Sequence, residues 1–410
     1  MPRDRIVSFD RLKGAIRRHY LWAKIRSRVG LRVAWVTSGA PVELLLPFGI
    51  YPVYPESHGA LCAARHASPG LLEVAEKEGY SADLCHYATS DIASAMTRAS
   101  PIGGLPKPDL VLCCTNICGT VLKWYQVLSE MFGVPLVLVD TPFIPDAAGE
   151  AARGVPSPAV DYVEGQLREA VGRLERITRR AYSERRLRLV LDRAREAMVL
   201  WKKVLSTAER RPSPLTCFDA FILMNPIVTI RGTAGCVRFY ERLLREMEER
   251  AAAGKGRIRD ERTRIVWDNI PVWYRMRELS KYFAERRVCL VADTYTNAWA
   301  DNEIKDGEPL RAMAEIYTGV FLNRGLRARA EVLARLVERF GADGFILHSN
   351  RSCKPYSFGQ YDVRRIVQEG TGRPGHVLQA DHVDPRQWDE GRVMGGLETF
   401  LSSIGSRGAP

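Results

Sequence analysis

The sequence lacks the patterns that mark several large classes of protein. No apolar run approaches the roughly 18 residues that a membrane helix needs, so we expect no membrane association. The first residues contain no apolar signal region, which favours a cytoplasmic protein. No RNP, helix-turn-helix or zinc-finger pattern occurs, so we expect no nucleic-acid partner. The segment AGKGR (253–257) lacks the glycine spacing and the Ser/Thr of a Walker loop, which excludes an ATP site of that type.

The length and composition are those of an ordinary globular protein with many cysteines. The length of 410 residues predicts roughly two to three domains, and 46% apolar with 26% charged residues suffices for a full core. The net charge of +12 is compatible with an Arg-rich solvated surface, with nucleic acid or with an acidic ligand such as a CoA nucleotide. Nine cysteines without a secretory signal favour metal binding or reactive thiols over disulfides.

A strand–loop–helix–strand pattern occurs twice, at 109–143 and at 343–384. Each copy begins with an Asp and a short apolar run, which is typical of a buried parallel strand. A polar loop with a cysteine follows, Cys118 in the first copy and Cys353 in the second. An amphipathic helical pattern, a Gly/Pro stop and a second apolar run complete each copy. The repeat therefore predicts two α/β units with a thiol at the same point.

The position of these two cysteines predicts a shared site. In open α/β sheets, the loops that leave the carboxyl ends of strands form the ligand crevice. A helix that starts there favours anions and lowers the pKa of a thiol. Two units that face each other would bring both thiolates together at a domain interface. The alternative is two independent loops with incidental cysteines, but the repeated placement favours the shared site.

Hydrophobic periodicity divides the chain into four parts. We expect an N-terminal amphipathic helix at 1–28, a first α/β domain at 29–156 and a second α/β domain at 261–410. Between the two domains, apolar residues of 157–260 recur at three- and four-residue intervals, which predicts a helical bridging region. The predicted fold class is α/β, with two doubly wound Rossmann- or flavodoxin-like domains.

Two polar residues of the first domain follow predicted strands. Strands are expected at 33–36 and 51–54, with a helix at 41–46 between them. Ser38 and Glu56 come after these strands, where a doubly wound sheet binds ligands. Single residues at such positions are more often helix caps than catalytic groups; the alternative is that Ser38 caps the helix at Pro41 and Glu56 pairs with a surface arginine.

Three cysteines fall in loops at predicted helix starts: Cys85, Cys118 and Cys353. By contrast, Cys113 and Cys114 belong to a strand, where a buried thiol behaves as a small hydrophobe. Widely separated thiols do not match the paired knuckles of a zinc ribbon. They suit an iron–sulfur cluster that has one coordination position without cysteine.

A family resemblance is carried by six segments in matching order and spacing: DLCHYATSDI (83–92), ICGTVLKWYQVL (117–128), RPSP (211–214), RGTA (231–234), GFILHSNRSCKPYSFGQ (344–360) and DHVDPR (381–386). With them the chain resembles the iron–sulfur subunits of the benzoyl-CoA reductase and 2-hydroxyacyl-CoA dehydratase family over nearly its whole length. RPSP, RGTA and the helix after them are most similar to the larger cluster-bearing subunit of the ATP-dependent benzoyl-CoA reductase.

The resemblance implies a [4Fe–4S] cluster between the two domains, held by Cys85, Cys118 and Cys353. It implies that Ser38 and Glu56 are polar catalytic positions beside the cluster. It also implies three partners: a homologous second iron–sulfur subunit, an ATP-hydrolysing iron–sulfur activator and an acyl-CoA substrate. The implied reaction is a one-electron reduction of the thioester at low potential, which gives a ketyl-type radical.

Three functions are compatible with the sequence. The first is a benzoyl-CoA reductase-type subunit, and the second is a subunit of a 2-hydroxyacyl-CoA dehydratase. The third is a non-catalytic, two-lobed ligand-binding protein that closes about a hinge. The three placed cysteines and the absent secretion signal weigh against the third function. The first two differ in the shape of the pocket, which the sequence does not specify.

Overall fold

Two parallel four-stranded sheets form the frame of the chain in the computed structural model. Numbered along the chain, the strands of each sheet have the order 2-1-3-4. This is the flavodoxin-type order without its fifth strand, which confirms the α/β class with two Rossmann-like units. The structure describes residues 6–98, 100, 103–146, 155–301 and 303–405.

The strand order places a crevice at the same point in both sheets. The order reverses between the first and third strands of each sheet, and the carboxyl ends of those strands open toward ligands. The first sheet consists of β1 Val33–Val36, β2 Tyr51–Val53, β3 Leu110–Cys114 and β4 Leu136–Val139. The second sheet consists of β5 Thr263–Asp268, β6 Val288–Asp293, β7 Gly344–Asn350 and β8 Gly375–Ala380.

Helices precede, connect and follow these strands. Among the described residues, no helix is both long enough and apolar enough to cross a membrane. In chain order the helices are α1 Ser8–Arg28, α2 Pro55–Ala64, α3 Ser68–Lys77, α4 His86–Thr97, α5 Gly119–Phe132, α6 Ser157–Thr178, α7 Glu184–Ser206, α8 Cys217–Leu223, α9 Asn225–Thr229, α10 Ala234–Ala252, α11 Met276–Glu285, α12 Thr294–Asn297, α13 Pro309–Thr318, α14 Leu326–Arg339, α15 Lys354–Ser357, α16 Gln360–Thr371 and α17 Glu390–Gly405.

One hydrophobic core joins the two sheets. Alternate residues of a strand point to opposite faces, and helices cover both faces of each sheet. Trp35 and Val111 of the first sheet contribute to the same central core as Val266 and Phe345 of the second sheet. The other face of the first sheet packs with α6, α7 and α10, and that of the second sheet with α8, α11 and α17. The two halves therefore support each other where their crevices meet.

The regular elements agree with the sequence patterns where the periodicity is strong. The predicted strand at 33–36 is β1, and the helical region that starts at 157 contains α6 and α7. The four predicted domains stay predictions. Their residues 1–5, 147–154 and 406–410 lie outside the described part of the chain.

The predicted helix at 41–46 is wrong. The chain forms two 3-10 turns there, Val42–Leu44 and Leu46–Phe48, because Pro47 has no backbone N–H for a continuing α-helix. The next strand ends at Val53, and Pro55 opens α2 directly after it. Glu56 therefore lies in the first turn of a helix instead of a loop.

Candidate functional site

A cavity of about 450 Å³ is lined by both halves of the chain at the carboxyl ends of their strands. Its wall includes Ser38 and Cys118, which follow β1 and β3, and Ile270 and Cys353, which follow β5 and β7. These four loops leave the points where the strand order reverses, so the cavity occupies both crevices at once. Much of the remaining wall is aromatic: Trp124, Phe221, Trp273, Tyr295, Trp299 and Phe321.

The three loop thiols of the sequence prediction all lie in this wall. Cys85 directly precedes α4, Cys118 precedes α5 and Cys353 precedes α15. The three thiols interact electrostatically, and these interactions add to the rise in the pKa of Cys85 and of Cys353 that burial causes. The other cysteines are buried and are not among the residues that line the cavity: Cys62, Cys113, Cys114, Cys217, Cys236 and Cys289.

Cys113 and Cys114 take the structural role that the sequence predicts. Both belong to β3 and are fully buried. Cys113 contributes to the central core, and Cys114 packs on the other face of the sheet, with its Sγ 3.5 Å from Thr141 Oγ1. Of the three cysteines in this segment, Cys118 therefore reaches the cavity wall.

The expected lowering of the thiol pKa by helix starts is wrong for the protein without a bound metal. Burial raises the pKa of Cys85 to about 12, and it also raises the pKa of Cys118 and Cys353. Backbone N–H groups of the helix starts act in the opposite direction, but the loss of water outweighs them. A coordinating metal removes the proton from a thiol outright. The donor set therefore suits a metal centre better than a free nucleophilic thiolate.

The three thiols can be compared with known metal centres by donor type alone. Among the described residues, no group of three or more His, Cys, Asp or Glu side chains is arranged so that it could hold a metal ion. The ligands of a zinc ion all lie within about 2.3 Å of one atom, whereas the cysteines of an iron–sulfur cluster bind different iron atoms. Thiols are the donor type of an iron–sulfur cluster, so the three cysteines of the wall are compatible with one by donor type.

Ser38 and Glu56 contact each other in the cavity wall. The backbone N–H of Ser38 donates to Glu56 Oε2 over 3.1 Å. Glu56 Oε1 is buried and has no hydrogen-bond partner among the described residues. Burial raises the pKa of Glu56 to about 8; the Ser38 N–H lowers it and the charge of Asp91 raises it further. With this pKa the carboxyl group is mostly neutral at pH 7. The 3-10 turn after Ser38 has no side-chain cap, and Glu56 has no ion-pair partner among the described residues.

The RGTA segment, one of those that carry the family resemblance, contributes Arg231 to the wall. Arg231 Nε donates to Glu43 Oε1 over 2.6 Å, and its second terminal nitrogen donates to the Tyr317 hydroxyl over 2.7 Å. The Tyr317 hydroxyl donates to Glu43 Oε2 over 2.5 Å, which closes a ring of three buried side chains. The ring ties together the 3-10 turn after β1, the segment between α9 and α10, and α13.

Sequence reasoning missed a buried polar network behind two of the thiols. His86, next to Cys85, has its Nδ1 2.9 Å from Asp381 Oδ1. Ser352, next to Cys353, donates to Asp381 Oδ2 over 2.6 Å. Burial alone would lower the pKa of His86, but Asp381 and then Asp384 raise it above its usual value. Asp381 thus couples the loops of both halves, and only the polar neighbours of each cysteine hinted at this.

Comparisons with known proteins find relatives that match most of the chain. The sequence matches the family model described as 2-hydroxyglutaryl-CoA dehydratase, D-component, over residues 37–404. It is 34% identical over 382 residues to the (R)-2-hydroxyisocaproyl-CoA dehydratase alpha subunit of Clostridioides difficile, and the match covers 90% of each chain. It is 32% identical over 372 residues to the alpha subunit of the lactoyl-CoA dehydratase of Anaerotignum propionicum, with 87% of each chain covered.

A further relative is a reductase. The chain is 30% identical over 379 residues to one subunit of the benzoyl-CoA reductase of Thauera aromatica, and the match covers 88% of this chain and 86% of the relative. The region matched by the family model contains Ser38, Glu56 and the three cavity thiols.

Proposed function

Because the chain belongs to the 2-hydroxyglutaryl-CoA dehydratase D-component family, we propose that it is the [4Fe–4S] subunit of a benzoyl-CoA reductase-type enzyme. It would perform the one-electron reduction of an acyl-CoA thioester at low potential. The chain is a member of a family of enzyme subunits, lyases or oxidoreductases, which removes the non-catalytic interpretation. The observation that carries the proposal is the convergence of three loop thiols on one cavity.

Cys85, Cys118 and Cys353 would hold the cluster, which supplies an electron at low potential and one coordination position free of cysteine. Each thiol lies at a helix start, where backbone N–H groups act on the sulfur. Such N–H groups stabilise negative charge on a thiolate ligand. The polar network at Asp381 supports this role, because it fixes the loops of Cys85 and Cys353 relative to each other.

Ser38 and Glu56 would act on the substrate as hydrogen-bond and proton donors. Glu56 Oε2 accepts the backbone N–H of Ser38, so the proton of the neutral carboxyl resides on Oε1, which has no other partner among the described residues. A carboxylic acid in this state is a proton donor at neutral pH. The Ser38 hydroxyl, in the same wall, would donate to a thioester oxygen that gains negative charge. The aromatic wall excludes water and strengthens both interactions.

A 2-hydroxyacyl-CoA dehydratase subunit is the second candidate. It is supported by the dehydratase alpha subunits among the relatives, at 34% and 32% identity beside 30% for the reductase subunit. In either case we propose a homologous iron–sulfur partner subunit and an ATP-hydrolysing activator. Both kinds of relative are named as one subunit of a larger enzyme.

The test is anaerobic purification with the partner subunit, followed by metal analysis and assay with the activator. We expect about four iron atoms per chain at this site, a brown colour and turnover of an acyl-CoA. Benzoyl-CoA and a 2-hydroxyacyl-CoA, assayed side by side, separate the two candidate reactions. Zinc in place of iron, without charge-transfer absorption after anaerobic reconstitution, would overturn the proposal.

A further inference from the structure

The cavity wall is poor in positive charge. Of the described residues that line it, Arg231 is the single Arg or Lys. His382 is the one histidine in the wall, and burial lowers its pKa to about 4, so it is neutral. The wall is otherwise dominated by aromatic and aliphatic side chains. The charge available to a ligand therefore depends on the state of Arg231.

Arg231 is already neutralised by the protein. Its side chain is 4% exposed and that of its ion-pair partner Glu43 is 2% exposed. Each of the three guanidinium nitrogens donates a hydrogen bond: to Glu43 Oε1, to the carbonyl oxygen of Ile227 over 3.1 Å and to the hydroxyl of Tyr317. The ring of Trp299 lies 5.1 Å from the guanidinium carbon. Little of the charge and hydrogen-bonding capacity of Arg231 is therefore available to a ligand.

A carboxylate on the acyl group would be unfavourable in such a cavity. It would lose its water without gaining a free cationic partner, which costs far more than burying an apolar group of similar size. Near Arg231 the carboxylate would also be repelled by the like charge of Glu43. Repulsion between like charges is one way in which binding sites reject ligands. An aromatic or branched aliphatic group would instead pack on the aromatic wall and would lose little favourable hydration.

We propose that the enzyme selects an uncharged, apolar acyl group, aromatic or branched aliphatic, and that Glu43 enforces this choice by occupying Arg231. The inference rests on the proposed function, since it takes this cavity as the site of the acyl group. It deepens that function, because members of the family act on acyl groups with and without a terminal carboxylate, as the name 2-hydroxyglutaryl-CoA dehydratase itself indicates.

The test compares two thioesters on the two-subunit holoenzyme under anaerobic conditions. 2-Hydroxyisocaproyl-CoA ends in an isobutyl group and 2-hydroxyglutaryl-CoA in a carboxylate, and their dissociation constants are measured by calorimetry. We expect the isobutyl compound to bind at least about 100-fold more tightly to the unaltered enzyme. Glu43→Gln keeps the shape but removes the competing charge, so we expect the ratio to fall by about tenfold or more. Glu369→Gln, on the exposed face of α16, is the matched control and should keep the ratio.

The outcomes are distinct. Equal binding of both thioesters by the unaltered enzyme overturns the specificity while leaving the proposed reaction standing, and an unchanged ratio in folded Glu43→Gln overturns the role of Glu43. If Glu43→Gln does not fold, the binding of the two thioesters to the unaltered enzyme still decides the acyl class. Tyr317→Phe, which removes one hydroxyl of the ring, then takes the place of Glu43→Gln, and we again expect the ratio of the two dissociation constants to fall. Absence of binding by both thioesters, together with absence of iron, overturns the proposed function as well.

Discussion

Replacing Glu56 by Gln tests whether this carboxyl group donates a proton during turnover. With a pKa of about 8, roughly ten of eleven molecules carry the proton at pH 7, against about one in 300 for a carboxyl at the ordinary value of 4.5. Glu56→Gln removes the acidic proton and keeps the acceptor for the Ser38 N–H. We expect turnover to fall by about 100-fold or more, with the iron content unchanged.

The pH profile gives a second readout. In the unaltered enzyme we expect turnover to decrease above about pH 8, roughly tenfold per pH unit, and this limb should be absent in Glu56→Gln. Because burial raises the pKa of Glu56, the folded state holds a proton between about pH 4.5 and about pH 8 that the unfolded state has lost. This group therefore lowers the free energy of unfolding as the pH rises through that window.

Two control variants sharpen the assay. Glu369→Gln changes an exposed glutamate that pairs with Arg365 and should leave the rate and the limb unchanged. Asp91→Asn keeps an acceptor for Trp124 Nε1 and removes a charge that raises the pKa of Glu56, so the limb should move to lower pH. Initial rates from about pH 6 to about pH 10 are measured anaerobically. A full rate and an unchanged limb in Glu56→Gln, with the iron retained, would refute the proton-donor role.

Two other predictions concern the wall of the same cavity. We expect the cluster to be lost or degraded in Cys85→Ser, Cys118→Ser and Cys353→Ser, and to be kept in Cys114→Ser. The iron content of each variant tests this. Loss of iron in Cys114→Ser with retention in Cys118→Ser would show that Cys114 is the ligand in this loop. The buried cysteines serve as controls: Cys62→Ala and Cys289→Ala should retain iron at a cost of about 1–3 kcal/mol in unfolding free energy. Ser38→Ala should keep the iron and slow turnover by about 100-fold, and a full rate would show that the hydroxyl has no part in the reaction.

Local patterns in the sequence predict the parts of this fold that depend on neighbouring residues. The strand at 33–36 and the two sheets follow from apolar runs bounded by turn residues. Two of the loop thiols, Cys118 and Cys353, follow in the same way, since a cysteine after a strand and before a helix has a definite place in an α/β sheet, whereas Cys85 lies between two helices. A proline is harder to interpret: Pro47 breaks the expected helix into 3-10 turns, whereas Pro55 opens a helix that holds Glu56.

The remaining features depend on residues far apart in the chain. Glu43 and Arg231 are 188 positions apart, and nothing in either segment indicates the other. The pKa of Cys85 also depends on the whole fold, because burial by both halves outweighs the local effect of its helix. Such contacts appear only once the central core has brought the two sheets together.

The matching element order of the two halves has a consequence for symmetry. In a frame made of two units with the same strand order, equivalent positions occur in pairs, as those of Cys118 and Cys353 do after β3 and β7. An odd ligand must therefore come from a position where the copies differ. Between the second and third strands each half has three helices, and the last of them begins after Cys85 in the first half but after Gly325 in the second. If the three thiols are the ligands that we propose, this difference makes their number odd, and a four-iron cluster bound by them would keep one corner for substrate.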